Sequence, residues 1–304
     1  MIRRIFTVFV ITAVIFSCSP SSKELYETAS HRFDEGDFTG AISLLDSVIA
    51  MDDKNSDAYY TRGSSKFNLS DFEGAIADYS KAIELTQENV DAELYYYRGD
   101  AYLSINEHEK AIQDFSMAVT IIPDYGEALN LRADTWMSLG NIDSAVLDYS
   151  RAIEMRPALA GPYYGMGKYY SNLPDYGQAI AYYSKAIELG AQADYYFNRG
   201  LIFYLEGDFK NAISDFTNTI EMNAQFIEAY VMRGNVRDEA GFGAEALLDF
   251  DEAIRLDPEY PSAYFNRGIT RKSQGDLAGA CEDFNKALSM GYVEAIAKTG
   301  DCPS

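Results

Sequence analysis

The chain has 304 residues, and Asp and Glu outnumber Lys and Arg by 47 to 25 for a net charge of −22. So acidic a surface repels phosphate backbones and anionic headgroups, which excludes nucleic acid as a natural partner, because that affinity rests on Lys and Arg releasing counterions. Two histidines and three cysteines leave little material for a metal site or a nucleophilic triad.

The N-terminus reads in three parts. Residues 1–4 are basic, residues 5–16 form an apolar run of 12, and Ser17 stands directly before Cys18. Twelve residues are too few to cross a bilayer core of roughly 30 Å as a helix, which needs about 20, so the run is an export signal and not an anchor. Ile15, Phe16, Ser17 and Cys18 resemble the bacterial lipoprotein box, an aliphatic residue three places before the cysteine and a small one immediately before it. Phe16 is bulkier than that pattern prefers, and an ordinary cleaved leader is the alternative. The resemblance implies a signal peptide over 1–17, acylation of Cys18, and a tether of residues 18–21 that keeps the chain from residue 22 onward close to the membrane. Acyl chains contribute about 0.8 kcal/mol per buried CH₂, and stable attachment takes more than one chain. Ser19 after the acylated cysteine, by analogy with enteric sorting, points to the outer membrane facing the periplasm.

From residue 22 the chain repeats. Ala41, Ala75, Ala111, Ala145, Ala179, Ala212, Ala246 and Ala280 recur at spacings of 34, 36, 34, 34, 33, 34 and 34. A fixed period in this range marks one supersecondary unit copied along an axis, each copy burying its apolar face against the next. With the alanine at position 20, the units start at Ser22, Ser56, Ala92, Gly126, Ala160, Ala193, Ile227 and Pro261. Apolar, aromatic or small residues fall at positions 4, 7, 8 and 11 and again at 20, 24 and 27, steps of three and four that mark helix faces. Each unit is therefore two helices. Position 15 between them holds Gly36, Gly140, Gly207, Gly241 or Gly275, with Asn106 in the third unit, residues that tolerate the left-handed backbone ending a helix. Small residues at 8 and 20 allow close helix approach, with Tyr79, Phe115, Tyr149, Tyr183, Phe216, Phe250 and Phe284 at position 24 filling the groove beside them.

After the last unit, Gly291 separates its second helix from an apolar segment, 292–298, read as a helix folding back, so that residues 291–304 form a C-terminal cap. Cys281 lies ten residues before that glycine and Cys302 eleven after it, positions that face each other in an antiparallel hairpin. In an oxidising compartment they would join as a disulfide; otherwise they are two thiols, one buried in the last helix.

The pattern of aromatic at 4, small at 8, alanine at 20 and 27 and proline at 32 (Pro123, Pro157, Pro258) resembles the tetratricopeptide repeat over residues 22–294. The resemblance implies an all-α, right-handed superhelical solenoid of about eight helix-turn-helix units. It further implies that first helices line a concave groove, the default surface for binding a partner protein or peptide. On those helices positions 2, 5, 9 and 12 form that stripe. Its candidate contacts are Tyr26, Tyr60, Phe67, Tyr96, Asp100, Asp134, Tyr164, Lys168, Phe197, Tyr204 and Phe265, aromatic anchors with a few charges. Generic groove lining is the alternative, since idealised repeats of this family favour tyrosine at position 5. Glu93, Asp100, Glu127 and Asp134 favour a partner with basic residues, or else form a solvated face. No lysine stands at position 5, so the carboxylate clamp of the chaperone-binding members is not expected.

Catalysis and cofactors are not expected. His108 takes a position where other units carry Phe38, Phe72 or Ile142, which makes it a packing residue, and His31 has no second histidine at metal spacing. The expected function is a non-enzymatic interaction scaffold, lipid-anchored in the periplasm, with a structural subunit docking through its convex surface as the alternative.

One contact follows from comparing the copies. Arginine at position 7 and aspartate at position 23 occur together in six units: Arg62 with Asp78, Arg98 with Asp114, Arg132 with Asp148, Arg199 with Asp215, Arg233 with Asp249 and Arg267 with Asp283. The first unit has Thr28 and Leu44 instead, and the fifth Met166 and Tyr182. Joint presence and joint absence indicate an ion pair between the two helices of one unit. An ion stripped of its partner near a core costs several kcal/mol, whereas the intact pair adds little net stability. Asp148→Ala is thus expected to lower the urea midpoint more than the double change with Arg132→Leu; equal losses would count against the pairing.

Overall fold

The computed structural model describes residues 20–86, 91–173, 175–299 and 302, so the expected leader and Cys18, the expected site of acylation, lie outside the described residues. The chain divides into two bodies, Met1–Ile121 and Ile122–Ser304. The first holds three helical hairpins: α1 (Ser22–Asp34) with α2 (Phe38–Met51), α3 (Ser56–Asn68) with α4 (Phe72–Thr86), and α5 (Ala92–Ser104) with α6 (His108–Ile121). The second holds five: α7 (Gly126–Ser138) with α8 (Ile142–Met155), α9 (Ala160–Ser171) with α10 (Tyr176–Gly190), α11 (Ala193–Leu205) with α12 (Phe209–Met222), α13 (Ile227–Glu239) with α14 (Gly243–Leu256), and α15 (Pro261–Ser273) with α16 (Leu277–Ser289). Each first helix begins at the residue that opens its sequence unit. Within each body successive hairpins stack in chain order, and first helices also touch one another: α1 with α3 and α3 with α5, then α7 with α9, α9 with α11 and α13 with α15. That contact puts the first helices on the inner side of each stack.

Local chemistry sets the hairpins. The backbone is left-handed at Gly36, Gly140, Gly207, Gly241 and Gly275, and also at Asn106 and Ser70. Beyond that turn a side-chain oxygen caps the second helix, as Asp37, Asn141, Asp175, Asp208 and Asp276 accept the N–H of the residue three places on. Hairpin seven departs from this: Phe242 takes the capping place, makes no side-chain cap and is 52% exposed.

Close packing explains the small residues. A Cβ added at Gly63, Gly99, Gly167, Gly200, Gly234 or Gly268 would come within 2.5 to 3.0 Å of the position-24 ring of its own hairpin. Those rings are fully buried, each worth about 1.5–3 kcal/mol. Hairpin one pairs Ala29 with the smaller Leu45. Hairpin four keeps both Ala133 and a large ring, Tyr149, and the hydroxyl end of that ring presses against Gly165 of α9, where a Cβ would collide with Cζ.

The ion pairs bridge more than the two helices of a hairpin. In all six hairpins that carry them, arginine Nε and Nη2 donate to the two carboxylate oxygens of the aspartate at 2.6 to 3.1 Å. Nη1 reaches the second helix of the preceding hairpin: Arg62 to Asp46, Arg98 to Ser80, Arg199 to Ser184, Arg233 to Thr217 and Arg267 to Asp251, at 2.5 to 3.1 Å. One guanidinium thus ties three helices. Its plane also faces a position-4 ring, Tyr59, Tyr95, Tyr196, Tyr230 or Tyr264, at 5.4 to 5.7 Å. Asp78, and then Asp46, raise the Arg62 guanidinium pKa above its ordinary value. In hairpin five Tyr182 stacks on Tyr170 instead, centroids 5.3 Å apart and planes within 10°.

The second body ends in a 3-10 turn (Val293–Ala295) and α17 (Ile296–Thr299) folded against α16, with Ala295 buried and Tyr292 packed on Phe265. A disulfide joins Cys281 to Cys302 with Cα atoms 5.6 Å apart. It closes a loop of 21 residues, which chain entropy values at about 3 kcal/mol. Cys302→Ser is expected to speed amide exchange across residues 292–299 while leaving α7 and α8 unchanged, as read by hydrogen-exchange mass spectrometry. Unchanged protection of the cap would show that packing alone holds it.

Candidate partner-binding site

The position-5 rings have a structural duty. Tyr60 packs on Tyr79, Tyr96 on Phe115, Tyr164 on Tyr183, Phe197 on Phe216 and Phe265 on Phe284, with centroids 5.6 to 6.1 Å apart. Each is half-buried. Phe197 is further covered by Phe226 and Phe265 by Tyr292, and Phe67 packs edge-on against Phe72, so the chain itself engages these three rings. The Tyr26 hydroxyl lies 3.3 Å from that of Thr61.

In the first body a hollow of about 440 Å³ opens between Tyr26, Tyr60, Asp57, Asp91 and Glu93. Asp91 is occupied there as the cap of α5. Asp100, farther along α5, carries a carboxyl raised above its ordinary value by burial.

The second body places Asp134, Tyr164 and Lys168 together around a hollow of about 420 Å³ on the inner faces of α7, α9 and α11. Glycine makes the room: a Cβ at Gly161 would meet the Asn130 amide at 2.9 Å. Asn130 donates to Asp134 Oδ2 at 3.1 Å, and the Tyr149 hydroxyl donates to Oδ1 at 2.6 Å, so the buried ring of hairpin four also aims the carboxylate. The Asn130 Oδ1 is buried without a hydrogen-bond partner. Tyr164 stacks on Tyr195 at 4.5 Å, and its hydroxyl accepts from Asn198 at 3.0 Å. Lys168 stands exposed with its Nζ over the Tyr164 ring, 5.6 Å from the centroid. Water reaches Asp134 while protein crowds it on most sides. That crowding raises its carboxyl above the ordinary value of 3.8, opposed by the Tyr149 hydrogen bond and the Lys168 charge.

The remaining candidates lie apart from this hollow. Tyr204 borders a smaller one of about 320 Å³ and donates a short hydrogen bond to Glu239, which pushes its hydroxyl up to about 12. Glu127 faces Arg156 at 3.4 Å. The sequence pattern gave no role to Asn130 or Gly161 and read Tyr149 as a core ring only. The visible signal was that the fifth unit alone has glycine at position 2.

Among the described residues no group of three His, Cys, Asp or Glu side chains could hold a metal ion, and no helix is long and apolar enough to cross a membrane. His108 opens α6 with its Nδ1 buried and without a hydrogen-bond partner.

Tetratricopeptide repeat profiles match residues 26–90, 60–126, 126–159, 164–221 and 231–295. The chain belongs to the tetratricopeptide repeat family. This is a scaffold fold that generally mediates protein–protein interaction and is not generally catalytic. A tetratricopeptide repeat protein from Parabacteroides merdae ATCC 43184 is similar in structure at 20% identity, with 82% of this chain and 98% of that chain covered and a TM-score of 0.61. YrrB, described as a TPR protein with an unusual peptide-binding site, is similar at 23% identity over 61% of this chain and 97% of its own, with a TM-score of 0.55. PilW, described as a widely conserved type IV pilus biogenesis factor, is similar at 17% over 68% and 97%, with a TM-score of 0.60. At these identities the likeness is one of fold. No curated protein is significantly similar to the chain in sequence.

Asp100 and Asp134 are both raised, so the folded chain binds their protons more tightly than the unfolded chain does. Their contribution to stability is therefore present below the unfolded value near 3.8 and is lost as pH rises through the folded value. Carboxyl NMR titration is expected to place both midpoints above 3.8, with Asp134 moving higher still in Lys168→Met. A midpoint at or below 3.8 would contradict the crowding described for Asp134.

Proposed function

We propose that this tetratricopeptide repeat protein is a non-enzymatic binding module of the bacterial envelope, acylated at Cys18 and held at the outer membrane facing the periplasm. Its partner is a protein or an extended peptide carrying basic residues, received on the inner faces of the first helices without a cofactor. The observation that carries this reading is the hollow across α7, α9 and α11, where a carboxylate, an ammonium group and a tyrosine ring converge in a space of about 420 Å³. Cavities that size, with a few convergent polar groups, are the usual form of a recognition site. A net charge of −22 favours basic partners over acidic ones. The peptide-binding site described for YrrB lends the fold a precedent.

A second reading, a structural subunit docking through its outer surface, has its own support: Leu147 on α8 and Leu248 on α14 are 69% and 67% exposed. A photo-crosslinker at Tyr164 separates the two from one at Leu147. In intact envelopes the first reading predicts partner adducts from position 164, and adducts from 147 alone would replace it with the second. Fatty-acid labelling tests the anchor, and is expected to be lost in Cys18→Ala; labelling that persists would remove that part of the proposal.

A further inference from the structure

Lys168 is the one basic side chain lining the hollow of the second body, and no carboxylate pairs with it among the described contacts. Its ammonium rests over the ring of Tyr164, one helical turn earlier on the same helix, within the field of Asp134 on α7. Asp134 is directly bonded only to neutral donors, Tyr149 and Asn130, so its negative charge is answered at a distance and not by contact. Asp194 adds a second carboxylate on the opposite wall. The hollow is thus built to hold a cation between an aromatic ring and a carboxylate, and the cation in its field is the chain's own.

We infer that Asp134 and the Tyr164 ring form a seat for an arginine or lysine side chain of the bound partner, and that Lys168 fills this seat while the hollow is empty and leaves it on binding. The inference rests on the groove-binding reading above and deepens it. Charge decides the occupant: two carboxylates against one ammonium leave the hollow net negative, in a chain that is itself strongly acidic. Lys168 is exposed on a flexible stem, so its departure costs little packing. Asp134 keeps contact with water, so a partner's guanidinium can reach the carboxylate edge that Tyr149 and Asn130 leave open. An incoming cation meets repulsion from Lys168 first, which makes the lysine a threshold that only a well-placed basic side chain overcomes.

The variants give opposite signs. Acetyl-Gly-Arg-Gly-amide and acetyl-Gly-Glu-Gly-amide serve as probes, titrated into the mature chain and followed by NMR shifts of labelled tyrosine. Lys168→Met, at an exposed position, is expected to tighten the arginine peptide about fivefold by removing the competing cation. Asp134→Asn, which keeps an acceptor for Tyr149, is expected to weaken it about tenfold. The glutamate peptide is expected not to bind. Weaker or unchanged arginine binding in Lys168→Met would overturn the seat, as would glutamate binding that depends on Lys168. If that happened while partner adducts still formed at position 164, the seat would fail and the groove reading would stand. Absence of such adducts would remove the groove reading itself.

Discussion

A large ring must lie flat beneath a residue that has almost no side chain, and the rest of the structure depends on that requirement. In six hairpins the residue is glycine at position 8, and a methyl group there would enter the ring of position 24. The two helices of a hairpin are therefore drawn together until backbone meets ring, which fixes their separation more tightly than a looser apolar contact could. Hairpin four meets the same requirement differently. Ala133 occupies its position 8, and the tyrosine at position 24 finds its clearance at Gly165 on the next hairpin. The Tyr149 hydroxyl reaches the inner face, where it holds Asp134, as the Tyr79 hydroxyl reaches Ser64 at the same position of hairpin two. A core ring thereby presents a polar group at the surface where a partner would be read.

The ion pairs add orientation to this packing. A bidentate arginine and aspartate allow one angular relation between two helices, and the third guanidinium bond passes that relation to the preceding hairpin. The fifth hairpin is the exception in the second body. Met166 and Tyr182 leave it without the pair, and residues 160–192 carry Lys168 and Lys185 against Asp175 and Glu188, so the segment is neutral in an acidic chain. It also contributes Gly161, Tyr164 and Lys168 to the hollow. Within the second body the rule that organises the other four hairpins is set aside in the middle one of the three that build the candidate site, a pattern expected where function competes with regularity.

Much of the fold was legible because the chain repeats itself. The recurring alanine fixed a register whose unit starts coincide with the starts of α1, α3, α5, α7, α9, α11, α13 and α15. The joint occurrence of Arg199 with Asp215, and the joint absence at Met166 and Tyr182, carried the contact within a hairpin. Contacts between hairpins were harder to see, because Ser80, Ser184 and Thr217 are common residues that only geometry distinguishes as arginine partners. The site was half legible. Position numbering named Asp134, Tyr164 and Lys168, but not the Asn130 amide and Tyr149 hydroxyl that hold Asp134, nor the room that Gly161 leaves beside Asn130. Phe197 and Phe265 show the converse: their register matched the binding stripe, while Phe226 and Tyr292 cover them from segments outside the helices.

A stack of this kind would act by holding its inner faces in fixed register, so that each hollow keeps its shape before a partner arrives. Preorganisation of this sort lowers the cost of binding. For the hollow of the second body, that rigidity traces to the contact between Tyr149 and Gly165. The direct measurement is urea unfolding of Gly165→Ala, monitored by fluorescence of Trp136, the sole tryptophan, which packs in the same core cluster as Tyr149. Tight contact predicts a loss of about 1–3 kcal/mol from overpacking, largely recovered when Tyr149→Leu is added to clear the space. A Gly165→Ala chain as stable as its parent would contradict it.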